Sequence, residues 1–293
     1  MLQHLRTQMN LNQTDVIGKV PGIGSGSTLS RYENAGTKLD EDTVVALCRF
    51  YRAPESVIEE TAALVRQSLQ QGWWASYSDV VGETLAHLVA LETNSKTVRT
   101  YQQITIPGML QTASYARAVM HGFHLTHANE KQRRSNERSV SRRLEVRQQR
   151  QSLLDQDNAP KYQALITEAV LTQPLGGRRV MREQLRYLFN MAENRTKVFI
   201  RILPNAMLAR GGAMHPAMTL FKPHHNDTGQ MVYLEHHNQG GIYLLEPTEV
   251  ERYQASLEDL WDRAGTRRET LDLLAEHIDQ LVDNSDYSDE LDS

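Results

Sequence analysis

The sequence predicts an α+β protein with a small all-helical domain and a larger domain of helices around a mostly antiparallel sheet. Two observations support this division. Residues 1–60 contain short helical patterns, broken by a turn with three glycines and one proline. Residues 198–245 instead hold four short runs of strand composition separated by turn residues, and two helical patterns follow them. We therefore expect domains at 1–60 and 61–282, followed by a tail at 283–293.

Capping residues and apolar spacing define the helices of the first domain. Asn12 is a residue of the N-cap type, and Leu29 and Tyr32 are spaced i, i+3. The acidic residues 40–42 suit the start of a helix, where the helix dipole favours negative charge. The predicted helices are residues 2–9, a helix led by Gln13, a helix from Thr28 to Asn34, and a helix from 40–42 to Tyr51.

The larger domain is predicted from hydrophobic periodicity and from breaker residues. Its predicted helices are 55–72, 76–92, 112–121, 130–154, 178–194, 247–264 and 267–282. Its predicted strands are 100–106, 161–171, 198–203, 218–221, 231–235 and 242–245. The last eleven residues, 283–293, contain five acidic and no basic residues, which predicts a disordered tail.

Composition indicates where the protein is located in the cell and whether it binds membranes or nucleic acid. The 293 residues carry a net charge of -4 and a single cysteine, Cys48, which excludes a disulfide within one chain. No run approaches the roughly 18 apolar residues of a membrane span, and the N-terminus lacks the apolar segment of a secretory signal. We expect a cytoplasmic protein with no membrane partner. Because the chain is not a polycation, any binding to nucleic acid must be local.

The order of elements in the first domain is that of a helix-turn-helix: a short helix, a Gln-led helix, a Gly-rich turn and a Ser/Thr-led helix. The second helix of such a unit enters the major groove of double-stranded DNA by its N-terminal end, where short polar residues reach bases and phosphates. Gln13 is placed to contact a phosphate, and Glu33 and Asn34 are expected to brace the fold. The predicted DNA-contacting residues of the turn and second helix are Ser25, Ser27, Thr28, Ser30 and Arg31.

The segments N-Q-T-D-V-I and S-T-L-S-R-Y-E-N within residues 12–34 resemble the XRE-type, or Cro/repressor-like, helix-turn-helix. The rest of the chain resembles the large C-terminal domain of unknown function of WhiJ-like actinobacterial regulators. The segments that carry this second resemblance are G-W-W (72–74), I-P-G-M-L-Q-T (106–112), T-E-A (167–169), V-Y-L-E (232–235) and G-G-I-Y-L (240–244). The resemblance implies a DNA-binding regulator whose C-terminal domain senses a small molecule or binds a small partner protein.

The charge of the first domain leaves two interpretations open. Residues 1–60 contain six Lys/Arg and eight Asp/Glu, a net charge of 6 - 8 = -2. Phosphate neutralisation supplies much of the affinity of a protein for DNA. The turn at 20–27 is also about two residues longer than the family pattern. The unit is therefore either a DNA-binding module of modest affinity or a vestigial one that serves as structure or as a dimer contact.

Aromatic and polar residues around 73–115 form a candidate ligand pocket, since pockets combine apolar faces with a few placed polar groups. The alternative is that these residues belong to the core. The arginines at 142, 143 and 147 are a candidate anion site, with a solvated helix face as the alternative. The predicted ligand-binding residues are Trp73, Trp74, Tyr77, Tyr101, Gln111, Tyr115, Arg142 and Glu168.

A second hypothesis is a recruited, cofactor-independent enzyme that uses acid–base chemistry on a small carbonyl-containing metabolite. Histidine beside a carboxylate is common equipment for proton transfer. Here, histidines flank predicted strands and Glu235 precedes His236. The candidate catalytic residues of this hypothesis are His215, Glu235, His236 and Tyr101.

Metal and cofactor sites are not predicted. His121, His124 and His127 lack a carboxylate at a metal-motif spacing, and the glycines of the turn lack the context of a dinucleotide site. The leading hypothesis is a homodimeric DNA-binding regulator, because helix-turn-helix proteins read two half-sites with two-fold symmetry. A module that only binds a small cognate protein is a third hypothesis.

Overall fold

The computed structural model describes residues 2–33, 39–69, 72–124, 130–208, 215–224, 229–236 and 240–282. It confirms the predicted α+β class, with a helical N-terminal part and a larger C-terminal domain built on a six-stranded mixed sheet. Two compact units are present: the first is centred on Met1–Ser76, and the second comprises Tyr77–His224 and Gln230–Ser293. The predicted tail 283–293 lies outside the described residues.

The first unit is a bundle of short helices. Its helices are α1 (Leu2–Gln8), α2 (Gly26–Glu33), α3 (Glu41–Phe50) and α4 (Glu55–Leu69). Their apolar faces meet in one core that includes Leu29, Leu47 and the buried Cys48. This core also takes in Ile58 and Val65 of α4, so the first unit extends beyond residue 60.

The structure confirms the predicted start of α3 and corrects the predicted helix at Gln13. Asp40 caps α3, as its carboxylate accepts hydrogen bonds from the Thr43 N–H at 2.9 Å and from the Thr43 hydroxyl at 2.8 Å. The predicted Gln-led helix is wrong in length, because only one 3-10 turn forms at Gln13–Asp15. The chain then turns away through Gly22, whose φ of +83° suits glycine, and a Cβ there would lie 2.8 Å from the Thr43 hydroxyl oxygen.

The second unit contains eight helices among the described residues. They are α5 (Glu83–Asn94), α6 (Ala113–His124), α7 (Glu130–Gln151), α8 (Glu168–Leu171), α9 (Arg178–Asn194), α10 (Asn205–Leu208), α11 (Pro247–Arg263) and α12 (Arg267–Val282). The predictions for α9 and α12 match these bounds. None of the helices in the described part of the chain is both long enough and apolar enough to cross a membrane.

The sheet is mixed, with two parallel and three antiparallel strand pairings. Its strands are β1 (Ser95–Gln102), β2 (Lys161–Thr167), β3 (Val198–Leu203), β4 (Met218–Pro223), β5 (Met231–His236) and β6 (Gly240–Leu244). They lie in the order β3-β2-β1-β4-β5-β6. β1, β2 and β3 pair in parallel, whereas the three pairings from β1 through β4 and β5 to β6 are antiparallel. Most pairings are therefore antiparallel, as expected.

Two strand predictions need correction. The predicted strand 100–106 lies at Ser95–Gln102, because residues 103–106 leave the sheet towards Pro107. The predicted strand 161–171 ends at Thr167, where α8 begins at Glu168. The second error comes from Val170 and Leu171, buried apolar residues that continue past the end of β2 into α8.

Each face of the sheet packs on a separate core. On the first, the α9 face, Val98, Tyr162 and Tyr233 share a core with Leu185 of α9 and Leu274 of α12. On the second, the α11 face, other strand residues pack against α11. These strand residues include Tyr101, Leu165, Met218 and Val232, which contact Val250, Leu257 and Leu260. Since side chains alternate along a strand, neighbouring residues such as Tyr101 and Gln102 lie on opposite faces.

Candidate functional site

A buried carboxylate anchors α2 in the first unit. The Glu33 side chain is 1% exposed and accepts hydrogen bonds from Arg6 Nε at 2.6 Å and Arg6 Nη2 at 3.2 Å. Gln13 Nε2 donates a third hydrogen bond to Glu33 at 2.8 Å. These contacts confirm the expected bracing role of Glu33. They also engage the Gln13 amide that was predicted to contact a phosphate, while Asn34 lies outside the described residues.

The opposite side of α2 faces outwards. Ser27 and Arg31 are exposed, Thr28 and Ser30 are half-buried, and Leu29 is fully buried. Ser25 caps the helix, because its Oγ accepts a hydrogen bond from the Thr28 N–H at 3.2 Å. In the predicted DNA-contacting set, Ser27 and Arg31 are thus exposed, whereas Ser25 and Thr28 hydrogen-bond to each other at the start of the helix.

Exposed cations are few in the first unit. Arg6 is committed to Glu33, which raises its pKa chiefly through their hydrogen bond. Lys38 lies outside the described residues. The remaining cations of residues 1–60 are exposed: Lys19, Arg31, Arg49 and Arg52. Only Arg31 of these lies on α2, so any phosphate contact of that helix depends strongly on one side chain.

The predicted aromatic ligand-binding residues belong to both units, and within the second unit Tyr101 and Tyr115 lie in different cores. Trp73 and Trp74 belong to the first unit, where their rings meet edge to face with centroids 5.9 Å apart. Tyr101 and Tyr115 are fully buried in the second unit, in the α11-face and α9-face cores respectively. Tyr115 Oη accepts a hydrogen bond from the Ile106 N–H at 3.4 Å. These two tyrosines are therefore core residues, which was the stated alternative to a ligand pocket.

Arg142 and Tyr77 form a surface contact within the second unit. The Arg142 guanidinium lies 4.6 Å from the centroid of the Tyr77 ring, and it donates hydrogen bonds of 3.2 and 2.8 Å to the two Asp79 oxygens. The pKa of Asp79 is lowered by these hydrogen bonds. The Arg142 charge that was predicted to meet an anionic ligand is therefore matched by the protein.

Glu168 organises a junction between three elements. Its carboxylate accepts a hydrogen bond from the Asn205 N–H at the start of α10, at 2.8 Å. The other carboxylate oxygen lies 3.9 Å from Nε2 of His277 on α12. Glu168 thus tethers the start of α8 to two other helices.

The candidate catalytic residues are divided by the sheet. Tyr101 lies on the α11 face, and Glu235 lies on the α9 face with Tyr233. Gln103 donates hydrogen bonds to Tyr101 Oη at 2.8 Å and to the His215 carbonyl oxygen at 2.5 Å. Glu235 is exposed and accepts a hydrogen bond from Gln102 at 3.2 Å. The structure therefore brings Tyr101 close to His215 but not to Glu235.

The remaining histidine predictions fall largely on undescribed positions. The side chain of His236 lies outside the described residues, as do His237, His127 and the side chain of His124. His121 Nε2 lies 3.2 Å from the Glu137 carboxylate on α7. No group of three metal-binding side chains occurs within the described ranges.

A buried ion pair that sequence reasoning missed joins α5 to α7. Arg150 Nε and Nη2 donate hydrogen bonds to the two Glu92 oxygens at 2.9 and 2.7 Å, and both residues are buried. Burial alone would lower the pKa of Arg150, but the charge and hydrogen bonds of Glu92 leave it above its ordinary value. Burial raises the pKa of Tyr162 on β2, and the nearby Glu92 charge raises it further.

Arg147, one turn before Arg150, is held differently. Its Nη1 donates a hydrogen bond to Gln111 Oε1, and Gln111 Nε2 in turn donates to the Ile106 carbonyl oxygen at 2.6 Å. Arg147 Nε is buried and has no acceptor among the described residues. Burial and the nearby Arg150 charge lower the pKa of Arg147 to about 10, and the Glu235 charge partly opposes this.

The spacing of apolar residues along α7 indicates that Arg147 lies on the packed side of this helix. Val140 and Leu144 are buried, and Arg147 follows at the spacing i, i+4, i+7. Arg147 therefore continues the buried face of the helix. Its interpretation as part of a solvated face is corrected, because its position on that face brings it to Gln111.

Comparison with known proteins identifies one family. Residues 85–276 match the family described as "Domain of unknown function (DUF5753)". No curated protein matches the chain, and no solved structure does either. The matched region includes Glu92, Gln111, Arg147, Arg150 and Glu235, so the polar cluster beside the α9 face lies within it. Because the match spans well over half of the sequence, the chain belongs to the DUF5753 family.

Proposed function

We propose that this chain is a cytoplasmic DNA-binding transcriptional regulator of the XRE type, related to the WhiJ-like regulators. In this proposal the first unit holds double-stranded DNA through α2. The DUF5753 domain receives a signal from a small-molecule effector or a small partner protein. A signal of this kind requires the ligand to bind two states of the protein with different affinity.

The observation that carries the proposal is the two-sided character of α2. Leu29 and Glu33 fix the helix from behind, and the Arg6 and Gln13 side chains hold Glu33. Ser27 and Arg31 lie on the exposed side. A short helix that is rigidly held and presents small polar and cationic side chains suits contact with the edges of bases and with phosphates.

The charge of the first unit sets the expected strength of binding. With a net charge of -2 over residues 1–60, non-specific attraction to DNA is weak. Two weak half-site contacts reinforce one another in a two-fold symmetric dimer. We therefore include a homodimer in the proposal. Because each first unit has few cations to neutralise phosphates, we expect the affinity for DNA to depend only weakly on salt concentration.

The enzyme hypothesis receives less support from the geometry. Among the described residues, Tyr101 and Glu235 lie on opposite faces of the sheet, an arrangement that gives no support to their joint action on one substrate. Glu235 is also hydrogen-bonded to Gln102. The regulator is the function that the described residues favour.

The test is the binding of the full chain to its own upstream DNA and to a scrambled sequence, from low to physiological salt. We expect specific binding that Arg31→Ala weakens by at least about fivefold, the effect of losing a base contact worth about 1–3 kcal/mol. Fluorescence anisotropy with labelled duplexes measures this directly.

Arg49→Ala is the matched control, because Arg49 is an exposed arginine of the same unit on α3 rather than α2. It removes the same charge and should change affinity far less than Arg31→Ala. If the folded wild-type protein shows no preference for the upstream DNA even at low salt, the first unit is vestigial and the proposal fails.

A further inference from the structure

We infer that a cavity beside α12 binds a small molecule in which a carboxylate is joined to a compact apolar group. The cavity has a volume of about 310 Å³, and its lining comes from the chain after α8, the start of α9 and the end of α12. Leu171, Pro174 and Leu281 form the apolar part of this lining, and Arg178 and His277 belong to the polar part. Ligand sites combine apolar walls with a few polar groups in this way, and a cavity of about 300 Å³ is at the small end of their range.

Arg178 is the cation of this cavity, and solvent reaches it because the residue is exposed. Its Nη2 donates a hydrogen bond to the Gln280 carbonyl oxygen at 2.7 Å, which holds the guanidinium against the end of α12. That acceptor is uncharged, and Arg178 has no ion pair and no other hydrogen bond within the described part of the chain. Nε and Nη1 are therefore left for an acceptor that arrives from solvent.

The start of α9 adds to the attraction for an anion. Gly177 precedes this helix and supplies no capping side chain, and the first turn contains no acidic residue. The first N–H groups of a helix have no partner inside it and carry partial positive charge. Together with Arg178 they favour a negatively charged group over a neutral one. A planar carboxylate matches the guanidinium best, since the two groups can form parallel hydrogen bonds.

The carboxylates near the cavity are already engaged by the protein. Glu168 accepts a hydrogen bond from the Asn205 N–H at 2.8 Å and lies 3.9 Å from His277 Nε2. Glu276 accepts a hydrogen bond from Gln280 Nε2 at 3.2 Å. Neither of them forms an ion pair with Arg178 among the described residues, so a ligand does not have to displace a carboxylate from this arginine.

His277 contributes a wall to the cavity and not a hydrogen bond to the ligand. The residue is 9% exposed, and its Nε2 has almost no accessible surface and no hydrogen-bond partner in the described ranges. A molecule from solvent therefore meets other parts of the ring. Together with Pro174 and Leu281, the ring favours a compact apolar or aromatic group beside the carboxylate.

This inference rests on the proposed function in one respect, because it places the small-molecule effector of the regulator at this cavity of the second unit. Binding of the ligand is a separate property from binding of DNA. The two are therefore tested in separate experiments.

The experiment is an NMR titration of the full chain, without DNA, that observes the methyl groups of Leu281. The probes are benzoate, acetate and benzamide, each raised to tens of millimolar at constant ionic strength. Acetate has the charge without the apolar group, and benzamide has the shape without the charge. The Leu281 resonances are identified by their loss in Leu281→Met. We expect a saturable shift with benzoate at lower concentrations than with acetate or benzamide.

Variants at the start of α9 test the role of the charge. Arg178→Gln should weaken benzoate binding by at least about fivefold, because a charge-assisted contact is lost, and it should leave benzamide binding unchanged. Arg178→Glu reverses the charge and should abolish benzoate binding. Arg179→Gln is the matched control, because Arg179 is the next exposed arginine of the same helix and does not line the cavity.

Three results would overturn the assignment. The first is the absence of any saturable shift of the Leu281 methyl groups with benzoate. The second is benzamide binding as tight as benzoate binding. The third is benzoate affinity that Arg178→Gln weakens no more than Arg179→Gln does. Because no DNA is present, each of these results leaves the DNA-binding proposal undecided, and a failure to bind DNA likewise leaves the benzoate result standing.

Discussion

Each unit of the molecule contains a buried arginine–glutamate pair, and the two pairs differ in what surrounds them. In the first unit, Arg6 donates to Glu33 and also to the Leu11 carbonyl oxygen at 2.6 Å, and Gln13 completes the set. In the DUF5753 domain, Arg150 is matched by Glu92, but Arg147 beside it lacks a carboxylate among the described residues. The first cluster pairs one arginine with one carboxylate, whereas the second sets two arginines beside one paired carboxylate among the described residues.

The largest effect is expected from Glu92→Gln. This change removes the carboxylate that pairs with the buried Arg150 and leaves it beside Arg147, which has no ion pair within the described ranges. Breaking a buried ion pair from one side costs about 3–5 kcal/mol. Chemical denaturation followed by circular dichroism measures the loss. Glu145→Gln, which alters an exposed carboxylate on α7, is the control. A loss no larger than that of the control would show that the Glu92 pair contributes little to stability.

A smaller effect is expected from Glu33→Gln in the first unit. The amide keeps the shape of the side chain, and Arg6 retains its bond to the Leu11 carbonyl oxygen. The expected loss is about 2 kcal/mol, the range for hydrogen bonds to a charged group. Specific DNA binding should weaken with it, because α2 loses its anchor. Glu59→Gln on the exposed side of α4 is the control, and DNA binding unaffected by Glu33→Gln would contradict the anchoring role.

The smallest effect is expected from Asp79→Asn, which breaks the exposed Arg142–Asp79 pair. Both side chains are well exposed, at 39% and 56%, so water and salt replace the lost contact. Since Arg142 lowers the pKa of Asp79, the pair contributes above the ordinary carboxyl pKa and is lost as the pH falls through the lowered value. Denaturation midpoints of the variant and wild type should coincide at neutral pH. A shift comparable to that of Glu92→Gln would remove the contrast between buried and exposed pairs.

Local pattern was sufficient for most of the secondary structure and for part of the site. Helices α9 and α12 and strand β3 have the predicted bounds because apolar spacing and flanking breakers are local signals. The bracing role of Glu33 was also predicted. The parallel pairing of β1 with β2 was not, because their residues are separated by about sixty positions that include α6 and α7.

The sequence by itself determined the α+β class, the positions of most strands and long helices, and the polar face of α2, since these follow from periodicity within a few residues. Only the tertiary structure decided the roles of the charged side chains. Arg142 and Arg147 belong to one helix and look alike in sequence, but one meets Asp79 at the surface and the other is held by Gln111. A charge acquires its function from neighbours that are distant in the chain, because burial and pairing depend on how the elements pack.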